Sequence, residues 1–103
     1  MIFLQATFLI RKFNVTGQSM EPTLKQGTTV LVSSLPYLCN QPRMNDLVAV
    51  LHPKKNMLLI KRVTHITKRG YFVSGDNRKV STDSRSFGYL SRKQILGKVV
   101  AAF

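Results

Sequence analysis

The chain has 103 residues, 44% of them apolar, which suits one domain with a modest core and excludes a disordered segment. Its 16 Lys and Arg against 4 Asp and Glu give a net charge of +12, a balance that suits nucleic acid, an anionic membrane surface or an acidic protein without choosing among them. The single cysteine, Cys39, excludes an internal disulfide; it reads as a small loop residue, with a reactive thiol as the alternative.

The first ten residues, MIFLQATFLI, are mostly apolar and are followed by Arg11 and Lys12. A spanning helix needs about 20 apolar residues, and a signal peptide carries its positive charge before the apolar run. The expectation is a first strand or an ordinary apolar N-terminal segment, with a shallow interfacial anchor as the alternative, and no targeting segment or membrane span. GQSMEPTL, residues 17–24, is a chain bend built from ordinary turn formers. TTVLVSSL then reads as a strand, LPYLCNQPRMND as a loop, and LVAVLHP as a strand stopped by Pro53. Lys54 to Asn56 turn the chain into the long strand MLLIKRVTHIT, and Lys68 to Gly70 turn it again into YFVSG. GDNRKVSTDSRSFGYL is polar and loop-like. SRKQILGKVVAAF starts as a short helix at Ser91 and ends as a strand. Short strands at regular spacing with Gly and Pro turns predict a mostly β fold, a compact barrel or coiled sheet. The absence of βα alternation argues against a parallel sheet.

In LLIKRV, residues 58–63, strand alternation puts Leu59, Lys61 and Val63 on one face and Leu58, Ile60 and Arg62 on the other. If the first face is the inner one, Lys61 sits among apolar groups. An ordinary lysine has a pKa of about 10.4 and is neutral in only about one molecule in 2,500 at pH 7. Burial disfavours its charged form, which makes a buried lysine a candidate general base. A serine hydroxyl is a weak nucleophile until a base takes its proton, and Ser-Lys pairs meet that need. Ser19 and Lys61 are distant in sequence, so only the fold could join them. The plainer reading of Lys61 is a surface lysine on an edge strand.

No histidine lies near Ser19 in the sequence to build a Ser-His-Asp triad. His52, His65 and Cys39 lack metal-ligand spacing, so no metal and no cofactor is expected. There is no phosphate-binding glycine loop. Asp76, Asp83 and Arg85 fall in the polar segment GDNRKVSTDSR. They read either as incidental surface ion pairs or as groups that pin a loop supporting a site.

Three of these segments, in order, resemble the boxes of type I signal peptidases: GQSMEPTL the nucleophile box, LIKRV the box with the general-base lysine, and GDNRKVSTDSRSFG the last box. NDLVAVLHP resembles the segment between the first two, with Asn45 where a glycine is usual. The resemblance runs from about Phe13 to Val100. It implies Ser19 as nucleophile and Lys61 as general base, with Ser81 orienting the lysine amine. It also implies Asp83 and Arg85 as a structural ion pair, Asp76 as a supporting acid, Met20 as a packing or pocket-lining residue, and the Ser19 N–H as part of an oxyanion hole. A serine that donates to that hole in some members is Gly17 here. The fold implied is a signal-peptidase-like, SOS-repressor-protease-like β-barrel or coiled sheet. Residues 13–103 would be a single small catalytic domain behind a short apolar segment, 1–12.

Members of the family normally carry membrane helices before the serine box, and large members insert an extra domain between the lysine box and the GDN box. This sequence shows neither. HisPro at 52 and 53, STDSRSFG and ILGKVV make it most similar to the small proteases that mature nickel-type superoxide dismutase. That resemblance implies removal of an N-terminal propeptide from a precursor bound extended beside a strand, with small residues next to the cut. It implies a cytoplasmic protein, with peripheral membrane contact left open and no nucleic-acid partner. Three rival readings stand beside it. One is a signal peptidase acting at a membrane, with MIFLQATFLI as a shallow anchor and the basic charge drawing anionic lipid. The second is a self-cleaving SOS-type repressor domain, for which too few residues precede Ser19 to form a DNA-binding domain. The third is a small basic β-barrel that binds nucleic acid, favoured by charge alone because the aromatics form no stacking platform.

Overall fold

The computed structural model describes residues 10–79 and 82–103. Six strands, β1 (Ile10–Asn14), β2 (Thr29–Ser33), β3 (Leu47–Leu51), β4 (Leu58–Thr67), β5 (Gly70–Ser74) and β6 (Ile95–Ala102), form one antiparallel sheet in the order β1-β2-β6-β3-β4-β5. β1 and β5 are its edges among the described residues, so the sheet is open rather than a closed barrel. Register shifts at Leu31/Val32, Ala49/Val50 and Val63/His65 mark bulges. Such bulges bend a strand and sharpen its twist. The apolar run 1–10 overlaps β1 only at Ile10, and β1 runs through the boundary drawn between residues 12 and 13; residues 1–9 lie outside the described residues.

β3 joins two apolar clusters because its side chains alternate. Val48 and Val50 pack with Val63, Val73, Leu90 and Ile95. Ala49 packs on the opposite side with Val15, Met20, Leu24, Val30 and Val32. Each fully buried valine here contributes roughly 1.5–3 kcal/mol of transfer free energy. β4 lies between β3 and β5, so it is an interior strand, not the edge strand of the plainer reading.

Two single-turn helices interrupt segments read as loops. α1 (Pro36–Cys39) starts with proline, whose missing N–H costs nothing at that position. α2 (Ser84–Phe87) is capped by Asp83, whose carboxylate accepts from the Arg85 N–H, and closed by Gly88 at φ 83°. The helix-like start at Ser91 is a 3-10 turn, Arg92–Gln94, closed by a reciprocal Ser91–Gln94 capping box. Gly70 is required at the β4–β5 turn. Its φ is 120°, and a Cβ there would lie 2.4 Å from the carbonyl oxygen of Leu90, whose strand-like bridge to Tyr71 closes that end of the sheet.

Candidate active site

Ser19 sits on a loop that is fastened on both sides. Before it, the Val15 N–H donates to Thr28 and the Gly27 N–H donates to Val15, each at 2.8 Å. After it, Met20 and Leu24 are buried in the second apolar cluster, and the Leu24 N–H donates to the Met20 carbonyl at 2.8 Å. Apolar side chains on either side of a polar tip thus leave Ser19 half-buried at the surface. Gly17 has φ 77°, so a serine there would be strained, although a Cβ would meet no atom within 4 Å. The Glu21–Pro22 peptide bond is cis.

Lys61 is 2% exposed. It stands opposite Val48 on β3 and shares a face with Leu59 and Val63. Burial pushes its pKa below the ordinary lysine value; the carboxylate of Asp83 pulls it back up, and the guanidinium of Arg85 pushes it down again.

Two carboxylates hold the surrounding loops. Asp76 accepts a two-pronged pair from Arg62, Nε to Oδ1 and Nη2 to Oδ2, both at 2.9 Å. The Thr23 hydroxyl donates to the same carboxylate at 2.6 Å. The third guanidinium nitrogen of Arg62 donates to the Asn45 carbonyl at 2.9 Å. The Asp76 N–H reaches the Met20 sulfur at 3.4 Å, and the Asn77 N–H donates to the Ser19 carbonyl at 2.7 Å. The serine loop, the lysine strand and the GDN segment are therefore tied together through Asp76 and its neighbour. Arg62 and Thr23 hold its carboxyl below the usual carboxylate range. Asn45, in place of the usual glycine, has φ 76°, a conformation that asparagine tolerates better than most residues.

Asp83 is fully enclosed. It accepts from the N–H of Gly75 at 3.1 Å, the N–H of Arg85 at 3.0 Å, and the Arg85 guanidinium at 3.0 and 2.9 Å. Arg85 also donates to the Arg78 carbonyl at 3.2 Å. The neighbouring Ser84 hydroxyl accepts from the Val73 N–H at 2.8 Å. These are not incidental surface pairs, because the carboxylate has no water to return to.

Two clefts meet at this point, and Ser19 and Lys61 line both. The first, about 110 Å³, runs between Phe13–Thr16 and Leu58–Ile60 and has Met20 and Ala49 among its walls. The second, about 220 Å³, lies toward Gly17, Gln18, His52 and Thr82.

The structure thus gathers Ser19, Gly17, Met20, Lys61, Asp76, Asp83 and Arg85 in one region. Ser81 lies outside the described residues. Cys39 is exposed on α1. Among the described residues, no cluster of His, Cys, Asp and Glu could hold a metal ion. Sequence reasoning missed Arg62, Thr23, Ser84 and His52. Arg62 was findable in principle: alternation puts it on the face opposite Lys61, and a basic side chain half-buried on a strand needs an acid.

The fold is an open antiparallel sheet with a cleft at Ser19 and Lys61, and the family the chain matches is one of serine endopeptidases. The family model for signal peptidase, peptidase S26, matches residues 1–67 and 64–103, and the chain belongs to that family. The two matched segments meet at the outer end of β4, beside its turn into β5. Signal peptidase IB of Staphylococcus aureus is 27% identical over 157 residues, covering 99% of this chain and 82% of the relative. Signal peptidase I of Leptolyngbya laminosa is 25% identical over 143 residues, covering 94% and 70%. The first alignment is longer than this chain, so that relative carries residues that this chain lacks. Among the described residues, no helix is long and apolar enough to cross a membrane.

Proposed function

We propose that this endopeptidase uses Ser19 as nucleophile and Lys61 as general base to cleave N-terminal signal peptides from secretory precursors. The observation that carries the reading is the shared lining: both clefts reach Ser19 and a lysine that is 2% exposed and held below its ordinary pKa. Neutral Lys61 takes the Ser19 Oγ proton as the oxygen attacks the scissile carbonyl. The Ser19 N–H, with the backbone at Gly17, donates to the oxyanion. The amine leaves with a proton from Lys61, and a water activated by the same lysine hydrolyses the acyl-enzyme. The first cleft, walled in part by Phe13, Val15, Leu58 and Ile60 and lying beside edge strand β1, suits an extended chain with small residues before the cut. The named activities of the two similar enzymes support signal peptides as substrate. The charge of +12 and exposed apolar side chains such as Leu38, Met57 and Phe103 support work at an anionic membrane surface.

A second reading, maturation of nickel-type superoxide dismutase by a cytoplasmic enzyme, is favoured by HisPro at 52 and 53, STDSRSFG and ILGKVV. One experiment decides between them. Wild type, Ser19→Ala and Lys61→Ala are incubated with a secretory precursor in detergent and with a nickel superoxide dismutase precursor, and each new N-terminus is read by mass spectrometry. A defined cut of the secretory precursor, lost in both variants, is the expected result. A cut of the dismutase precursor alone would move the assignment to propeptide removal. No cut dependent on both residues in either precursor would overturn the dyad.

A further inference from the structure

The second cleft differs in chemistry from the first. On its far side, His52 Nδ1 accepts from the backbone N–H groups of Lys54 and Lys55, at 3.0 and 3.2 Å. A nitrogen that accepts two N–H donors carries no proton, so the ring proton is on Nε2. The ring is fixed edge-on to Phe87 at 4.8 Å and lines the cleft. Lys55, exposed on the same turn, adds a cation, and Lys61 is the other basic residue in the lining. No carboxylate lines this cleft among the described residues. Asp83, next to Thr82 in sequence, is enclosed and paired with Arg85.

A peptide whose carbonyl sits on Ser19 must continue past the dyad on both sides. With the first cleft holding the residues before the cut, the segment after it enters the second. That leaving segment meets the His52 ring and a lysine. We propose that the second cleft is a specificity subsite for the first few residues after the cut, where Lys55 and the Nε2–H of His52 select an acidic side chain. This rests on the proposed role of Ser19.

The test uses a set of peptides that span one cleavage site and differ only in Asp, Ala or Lys at the second or third position after the cut. Wild type, Ser19→Ala, Lys55→Glu and His52→Gln are compared in competition, and the ratio of kcat/KM for Asp over Lys is read by mass spectrometry. Wild type is expected to favour Asp by about three- to tenfold, as for a modest ion pair at a partly exposed site. Added salt should shrink the ratio, and Lys55→Glu should reverse it. His52→Gln should reduce the preference through KM rather than kcat. Ser19-dependent cleavage with no Asp preference, or a ratio unmoved by Lys55→Glu, would overturn the subsite. Absence of any Ser19-dependent cleavage is a separate result, which removes the proposed function and the subsite with it.

Discussion

Asp76 and Asp83 are both clasped by arginine, yet they serve the molecule differently. Asp83 is fully enclosed, and its partners include the Gly75 N–H and Arg85 of α2, both near it in sequence. Asp76 keeps some contact with solvent, its side chain being 19% exposed, and its partners come from the serine loop and from β4. The enclosed acid acts on charge, because its field reaches Lys61. The more open acid acts on position, because it ties together segments that sequence keeps apart. Low dielectric makes a buried charge felt by its neighbours, whereas reach across the fold requires a group near the surface where loops converge.

The largest effect should come from the residues on which both clasps converge. Ser19→Ala and Lys61→Ala should each lower kcat/KM by about a thousandfold or more, with Ser19→Ala leaving the melting temperature near that of the wild type; removing both should cost little activity beyond either alone, since they act as a unit. A double variant showing the product of the two losses would argue against a shared step.

Asp83 comes next. Asp83→Ala strips the acceptor from the Gly75 N–H and should cost about 3 kcal/mol by denaturant unfolding. The milder Asp83→Asn removes the charge that raises the Lys61 pKa. The working lysine is the neutral form, so activity should rise with pH along a limb below the ordinary 10.5, and Asp83→Asn should move that limb to lower pH. A limb that stays in place or moves upward contradicts the electrostatic role.

Asp76→Asn sharpens the contrast. It should lower stability by about 1–2 kcal/mol through weaker bonds to Arg62 and Thr23, and lower kcat several-fold without moving the pH limb. Because the Asp76 pKa is depressed, its stabilisation is complete above about pH 3.8 and is lost as pH falls through the folded value. Asp76→Asn should therefore flatten the acid side of the stability profile. The smallest effect lies at the edge of the same clasp. Asn45→Gly should be nearly neutral, and Asn45→Ala should cost about 1 kcal/mol for holding φ at 76°, read as a drop in melting temperature.

Much of the fold was legible because it follows from local rules. The short apolar runs LVAVL, stopped by Pro53, and MLLIKRVTHIT, entered through the turn at Lys54 to Asn56, placed β3 and β4, and Gly70 marked the turn between β4 and β5. The single turns α1 and α2 were not legible. Pro36 and Asp83 give start signals, but four residues carry no helical period to detect. The site divided in the same way. Ser19, Lys61, Asp76, Asp83 and Arg85 stood out as residue types in recognisable boxes. Arg62 and Thr23 did not, because their roles come from Asp76, which another element brings in.

By itself, the sequence determined the strands, the turns and the face that Lys61 shares with Leu59 and Val63, since each depends on residues within a few positions of one another. Only the tertiary structure decided that β4 is an interior strand and that this face is covered, which is what takes the lysine out of water and lowers its pKa. It alone decided that the serine loop and the lysine strand line the same clefts. The physical reason is that β3 pairs with β4 across a short turn but with β6 only across about forty residues of chain, and the polar clasp at Asp76 likewise joins the serine loop, β4 and the GDN segment, which are distant in sequence.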